Sequence, residues 1–365
     1  MPNLRLGLAA MALLLCGAAH AGSSEDEAIY KARWEAFLKA PGQVSFTPLE
    51  PVVGAAPRRL PVRAKPAIRV DALDDAAAYA GANRSSALIV WRKGRIELAR
   101  YYGDTTADSL LVSKSMAKPL TAVAVGRAIR LGMIRSLDQP IADFIPAWRG
   151  TPKEAILVRH LLDQRSGLLE QGFSPDPDHP LNRAYLDTDH GRYIVNFYPL
   201  IDTPGARYGY ANVPSELVAV VIEQASGMRY GEFIGRHVLA PIGAKGGMVW
   251  VSRRGGLAHS GCCIHLPAES WLRLGLLLLD DGRAHGRRLL PQGYVAEMRK
   301  GTPQNPHFGL GIWIGSPWQP RRGFGSPGRP GPQVLHSEPY LDPDLFLFDG
   351  NSNQTLYLSP NTNLH

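Results

Sequence analysis

Strand-like segments near both ends of the chain, with a long helical stretch between them, predict an α/β (α+β) fold. One sheet would be built from distant segments, with a helical lobe inserted into it. Three observations carry this expectation. Residues 86–92 and 95–101 are rich in Ile, Val, Leu, Trp and Tyr and flank Lys93-Gly94, a compact hairpin signal. Residues 132–228 read mostly as helices and loops. Strand patterns then return at residues 308–314, 345–348 and 354–358, with a Pro/Gly/Arg-rich loop across 317–343. No internal period recurs, which excludes solenoids and propellers.

The elements follow in chain order. Residues 1–21 carry a secretory signal pattern: Arg5 as the positive start, an apolar run from Leu6 to Leu15, and Ala19-His20-Ala21 as a cleavage site before Gly22. Export to the periplasm or outside the cell is therefore expected. Lipid attachment at Cys16 fits less well, because Leu14 and Leu15 stand where small residues belong. Residues 22–75 form an N-terminal extension, a short helix from about Glu25 to Leu38 and then an extended leader punctuated by prolines. The main domain spans 76–365. Within it, Ser115 to Leu131 has apolar residues nearly all round a helix, as a buried helix does. Pro214 suits a first helical turn, Leu217 to Ile222 are almost entirely apolar, and Gly227 ends that run. A further apolar helix runs from Pro267 to Asp280.

Composition narrows the function classes. The chain has 365 residues, 45% hydrophobic and 20% charged, enough for two modest domains or one two-lobed domain with a real core. The net charge of +8 is scattered through pairs such as Arg58-Arg59, Arg253-Arg254 and Arg287-Arg288, without a basic run or recognition module. Nucleic acid is not an expected partner. No segment after the signal is apolar for long enough to span a bilayer. With Cys16 removed, only the neighbours Cys262 and Cys263 remain; they read as two small buried hydrophobes, since a disulfide between neighbours is strained. Asp176, Asp178, His179, Asp187, Asp189 and His190 lie in a Pro-rich stretch and read as turn formers, so no metal or other cofactor is expected.

Several motifs fail on inspection. Gly350-Asn351-Ser352-Asn353-Gln354 lacks the last glycine of a nucleophile elbow and precedes a strand. Gly309-Leu310-Gly311 has no third glycine in register for a dinucleotide fingerprint. Ser115-Met116-Ala117-Lys118 is different. At i and i+3 of a helix the hydroxyl and the amine share a face, and a lysine among apolar neighbours loses its proton more readily and can activate the serine. A buried lysine without a task is costly, and this helix offers little surface. Tyr210-Ala211-Asn212 precedes the next buried helix. A tyrosine there can shuttle a proton, and an asparagine can orient the lysine and a substrate or simply cap the helix.

Together, Ser115-x-x-Lys118 and Tyr210-x-Asn212 resemble the serine hydrolases related to class C β-lactamases and DD-peptidases, a group that includes esterases and aminohexanoate-dimer hydrolases. The resemblance extends to Val158-Arg159-His160-Leu161-Leu162 with Ser166-Gly167-Leu168, and to Leu137-Asp138-Gln139-Pro140 through Phe144-Ile145-Pro146. It extends also to Leu274 through Leu279 with Gly282, and to Gly286 through Pro291, covering roughly residues 75–360. It implies a β-lactamase/transpeptidase-like fold, a mainly antiparallel sheet flanked by helices with the helical lobe beside it. It also implies an acyl-enzyme on Ser115, with Lys118 and Tyr210 catalytic and no cofactor. Asn212, Gly350, Asn351, Ser352 and Gln354 would bind a small ester, amide or peptide substrate. Two departures stand out. The third family motif, expected at 350–354, has no cation, although Arg321 or Arg322 could substitute. The chain also stops at His365 directly after a strand, where the family continues with a strand and a closing helix.

Overall fold

In the computed structural model, residues 23–40, 44–56, 58–172, 174–323, 333–335 and 339–362 are described. The signal pattern at 1–21 lies outside them. The chain opens with α1 (Ser24–Lys39), whose Ser23 accepts from the Asp26 N–H in a capping box. β1 (Leu49–Val52) and α2 (Val70–Ala82) follow, then the hairpin β2 (Ala87–Arg92) and β3 (Arg95–Tyr101), and β4 (Leu111–Val112). The middle of the chain holds α3 (Lys118–Arg130), α4 (Val158–Leu162), α5 (Pro180–Leu186), α6 (His190–Phe197), α7 (Val213–Ser226) and α8 (Tyr230–Ile234). Next come β5 (Gly247–Trp250), β6 (Ile264–Leu266), α9 (Ala268–Leu279), the small hairpin β7 (Arg283–Ala284) and β8 (Arg287–Arg288), and α10 (Tyr294–Met298). The last strands are β9 (Trp313–Ile314), β10 (Arg321–Gly323), β11 (Gln333–Leu335), β12 (Phe346–Gly350) and β13 (Gln354–Leu358).

The strand pairings are antiparallel, as expected. By hydrogen bonding, however, the described strands form separate sheets rather than one: β1-β5-β6-β4, β13-β12-β9 and three two-stranded hairpins. Distant segments do meet, since β4 pairs with β6 and β12 with β9. The extension at 22–75 is more than a leader. Its helix packs Tyr30 and Trp34 against Leu186 of the helical lobe. Its β1 pairs with β5, Leu49 opposite Trp250. The strand expected over 308–314 is reduced to β9, because the chain folds back on itself at Gly309–Gly311, where the Gly309 N–H reaches Ile312 O at 3.0 Å. Gly311 has a φ of +73°, and a Cβ there would stand 2.7 Å from Lys118 O, so this turn approaches the start of α3 as only glycine can.

The buried helices are the ones the pattern names. From Lys118 through Gly126, every residue of α3 is buried, and α7 buries Val213 through Ala219. Both belong to one apolar cluster that also takes in β5, β6, β12 and β13. α7 ends where the glycine predicts, at Gly227 with a left-handed φ of 70°. Tyr294 of α10 anchors α3: its hydroxyl donates to Ala122 O at 2.7 Å, and its ring lies on Gly126. A Cβ at Gly126 would meet the Tyr294 ring at 2.5 Å. Gly126→Ala should therefore cost about 1–3 kcal/mol through overpacking. A thermal melt indistinguishable from the parent's would contradict this packing.

Candidate active site

Ser115 lies in a 3-10 turn, Lys114–Ala117, which runs directly into α3 at Lys118. The sequence pattern places Ser115 on the α-helix itself; the tighter turn is the finding. In a 3-10 turn the side chains of i and i+3 eclipse, so Ser115 and Lys118 stand one above the other. The Lys118 ammonium donates to Ser115 Oγ at 3.2 Å, to Asn212 Oδ1 at 2.6 Å and to Gly261 O at 3.1 Å. Ser115 is half-buried while Lys118 is only 2% exposed, so the hydroxyl can be reached and the amine cannot. Burial pushes the Lys118 amine down to about 7, against the opposing pull of the Glu216 carboxylate.

The rest of the site is delivered by distant segments. Asn212 is the residue before α7, yet its side chain makes no cap; its amide oxygen goes to Lys118 instead. The Tyr210 ring lies under the Lys118 ammonium, 4.8 Å from nitrogen to centroid, and stacks on Trp313 of β9. Gln164 holds this segment in place, accepting from the Gly209 N–H at its carbonyl and from the Ala211 N–H at its side chain. Gly261 belongs to the tight loop before β6. Ser113 ties that loop to the Ser115 turn: its hydroxyl bonds Cys262 O at 3.0 Å, and its N–H reaches Ile264 O.

Cys262 and Cys263 are not free hydrophobes as the sequence reading expects. They form a disulfide with Cα atoms 3.7 Å apart. The turn from His259 to Cys263, closed by the Cys263 N–H on His259 O, seats the pair against Trp250.

The third motif divides. Gly350 ends β12 against the Ser115 turn; a Cβ there would stand 3.1 Å from the Ser115 nitrogen and 2.5 Å from Ser113 O. Asn351, Ser352 and Asn353 form the exposed hairpin turn, and the Gln354 side chain donates to Ser352 O. Arg321, the substitute cation considered from sequence, directs a guanidinium nitrogen to Gln333 O across its own hairpin. The Arg322 side chain lies outside the described residues. So the fold brings Ser115, Lys118, Tyr210, Asn212 and Gly350 together, while the polar turn of the motif faces solvent.

Sequence reading missed the Gly261 carbonyl, which no side-chain motif can announce. It also missed Glu216, a carboxylate one turn into α7 and 1% exposed. The turn-former reading holds for Asp176, which accepts from the Asp178 N–H, and for Asp187, which accepts from the Asp189 N–H. It fails for His190, which is fully buried beside Glu216.

A family model described as Beta-lactamase matches residues 70–364. The 6-aminohexanoate-dimer hydrolase of Paenarthrobacter ureafaciens is 25% identical over 254 residues, 65% of this chain and 64% of that protein. Penicillin-binding protein 4* of Bacillus subtilis (strain 168) is 29% identical over 147 residues, 37% of this chain and 30% of that one. The matches thus span less than two thirds of either relative's length. A Bacillus anthracis protein described as a 6-aminohexanoate-dimer hydrolase superposes with a TM-score of 0.65 at 17% identity, over 87% of this chain and 84% of its own. At that identity the likeness is one of fold.

The Lys118 contacts predict a pH-dependent stability effect. Removing Asn212 Oδ1 orphans one N–H of a buried ammonium, which should cost about 2 kcal/mol while the amine is charged. The amine titrates near 7 in the parent and lower once an acceptor of its charged form is lost. The deficit of Asn212→Ala is therefore full only well below 7 and has largely narrowed by the time pH reaches that value. Urea unfolding at about pH 6 and about pH 9 would test it. A deficit that is flat or grows with pH would mean that Lys118 is not held as described.

Proposed function

Because the chain belongs to the beta-lactamase family, with its family model matched over residues 70–364, we propose that it is an exported serine hydrolase acting on an ester or amide through an acyl-enzyme. The observation that carries this reading is the set of oxygens around Lys118. Asn212 Oδ1 and Gly261 O can only accept hydrogen bonds. A neutral amine has two N–H groups and one lone pair. With both N–H groups on those two acceptors, the lone pair is left for the Ser115 hydroxyl proton. The arrangement that saturates the ammonium thus aims the amine as a base.

In this reading Ser115 Oγ attacks the substrate carbonyl carbon as its proton passes to Lys118 Nζ. The oxyanion develops near the Ser115 N–H, at the turn against which Gly350 brings the end of β12. Tyr210 takes part as general acid and base, passing the proton to the leaving group as the scissile bond breaks. Water then attacks the acyl-enzyme, gives up a proton to the same machinery and releases the acid with Ser115 restored. Asn212 positions Lys118 throughout. Export is supported by the signal pattern of residues 1–21 and by the Cys262–Cys263 disulfide, which belongs in an oxidising compartment.

The relatives bring two substrate classes into view, since one is named for a 6-aminohexanoate dimer and one for penicillin binding. The third motif sends no cation into the crevice, since its 351–353 turn is uncharged and faces solvent. This argues for neutral acyl groups, because a carboxylate entering the crevice loses hydration that only a charged partner restores. Short-chain esters or uncharged amides should therefore be preferred to penicillins and D-Ala-D-Ala peptides.

The experiment is fluorophosphonate labelling read by mass spectrometry, together with hydrolysis of p-nitrophenyl butyrate. A label on Ser115, lost in Ser115→Ala, is expected, and turnover in Lys118→Ala and Tyr210→Phe should fall by orders of magnitude. Since the neutral amine is the base, kcat/KM should rise with pH through about 7 to a plateau. Full activity in Ser115→Ala would end the reading. A kcat/KM for a cephalosporin or D-Ala-D-Ala peptide about tenfold above that for the ester would overturn the neutral-acyl preference.

A further inference from the structure

Beside the Lys118 pocket, α6, α7 and the loop before the disulfide bring three buried groups face to face. His190 is the first residue of α6, Glu216 lies in the first turn of α7, and His259 sits two residues before Gly261. Their side chains are 0%, 2% and 0% exposed. His190 Nε2 lies 3.8 Å from Glu216 Oε2, and His259 Nδ1 lies 3.9 Å from Glu216 Oε1. Those separations exceed hydrogen-bond range. Among the described residues, neither carboxylate oxygen nor any of the four ring nitrogens has a hydrogen-bond partner. Six buried polar atoms left in that state are what a native interior avoids.

The donor chemistry suits a shared ion. Two imidazoles and a carboxylate are a donor set for zinc-class metals, and their ligand atoms all lie within 4.8 Å of one another. Donors about 2.1 Å from a tetrahedral ion stand about 3.4 Å apart, so the imidazole–carboxylate gaps close by about half an ångström and the widest spacing by up to about 1.4 Å when the ion binds. The two imidazoles stack with 3.9 Å between centroids and 9° between planes, and His259 also stacks on Trp250 at 3.7 Å. Their in-plane lone pairs therefore run parallel, and the His190 ring must turn out of the stack for both to reach one ion. A cavity of about 190 Å³, lined by Glu216, Asn212, Tyr185 and Asn182 among others, reaches the carboxylate side of the cluster and has room for a water.

We propose that His190, Glu216 and His259 form a binding site for one divalent transition-metal ion of the zinc class. Its role is structural. The ion joins α6, α7 and the His259 loop, and two of those elements carry the acceptors of Lys118: Asn212 immediately before α7, and Gly261 O on the loop. The site adjoins the Lys118 pocket, but its existence does not depend on the hydrolase reading.

The test uses untagged full-length protein stripped with a chelator, dialysed, and titrated with Zn2+ alone. One zinc per chain by elemental analysis and calorimetry is expected, with a melting temperature that rises with Zn2+ concentration. Co2+ in the same site should give the visible absorption of a four-coordinate N/O environment. Glu216→Gln and His259→Ala should each weaken Zn2+ binding by roughly a hundredfold or more, while Lys118→Met keeps it. If those variants do not fold, the wild-type stoichiometry and Co2+ spectrum decide alone. Substoichiometric zinc on folded wild-type protein, an octahedral Co2+ spectrum, or a full equivalent retained by folded Glu216→Gln would each overturn the proposal.

Discussion

The structure is organised around one burial, the Lys118 amine in an apolar interior with three oxygens around it. A charged lysine there is tolerated only if each N–H finds an acceptor. The acceptors come from three places far apart in the chain: a hydroxyl on the preceding turn, an amide oxygen just before α7, and a loop carbonyl before β6. To supply them, α3 and α7 must lie side by side, and the disulfide loop must close over both. Ser113 and Ser260 fix that loop, the first through Cys262 O and the second through a hydroxyl on Ser215 O at 2.7 Å. The same burial lowers the affinity of Lys118 for its proton, so one constraint sets both the architecture and the base strength.

Glycine permits the close approaches around this centre. Gly350 lets the end of β12 rest on the Ser115 turn, and Gly311 lets the β9 turn touch the carbonyl of Lys118. Gly261 lies where an added Cβ would meet Ser215 and Glu216, so the loop that carries the third acceptor sits directly on α7. At Gly350 and Gly311 the neighbours are backbone atoms, so these approaches leave no space for a side chain, while the residues of the outer turn at 351–353 face solvent.

Much of this was legible beforehand. The apolar patterns of α3, α7 and α9 follow from their extensive burial, and the ends of α7 follow from Pro214 and Gly227, whose backbone preferences act locally. Ser115-x-x-Lys118 and Tyr210-x-Asn212 were legible because i, i+3 spacing and a helix start are local facts. The strand over 308–314 misled because apolar content says nothing of the turn at Gly309–Gly311, where the chain reverses on itself. The cysteine pair misled because Cα spacing alone does not describe the turn that His259 O closes around it.

The sequence by itself determined the fold class, the buried helices and the Ser115–Lys118 pairing, since each rests on side-chain pattern within a few residues. Only the tertiary structure decided that Gly261 O completes the lysine's shell and that Gly350 abuts the Ser115 turn. It alone also gathered His190, Glu216 and His259 into one buried cluster. The physical reason is common to all three. Backbone carbonyls carry no residue-specific signal, and buried polar groups from segments up to 69 residues apart, as His190 and His259 are in the numbering, acquire meaning only when packing removes the water between them.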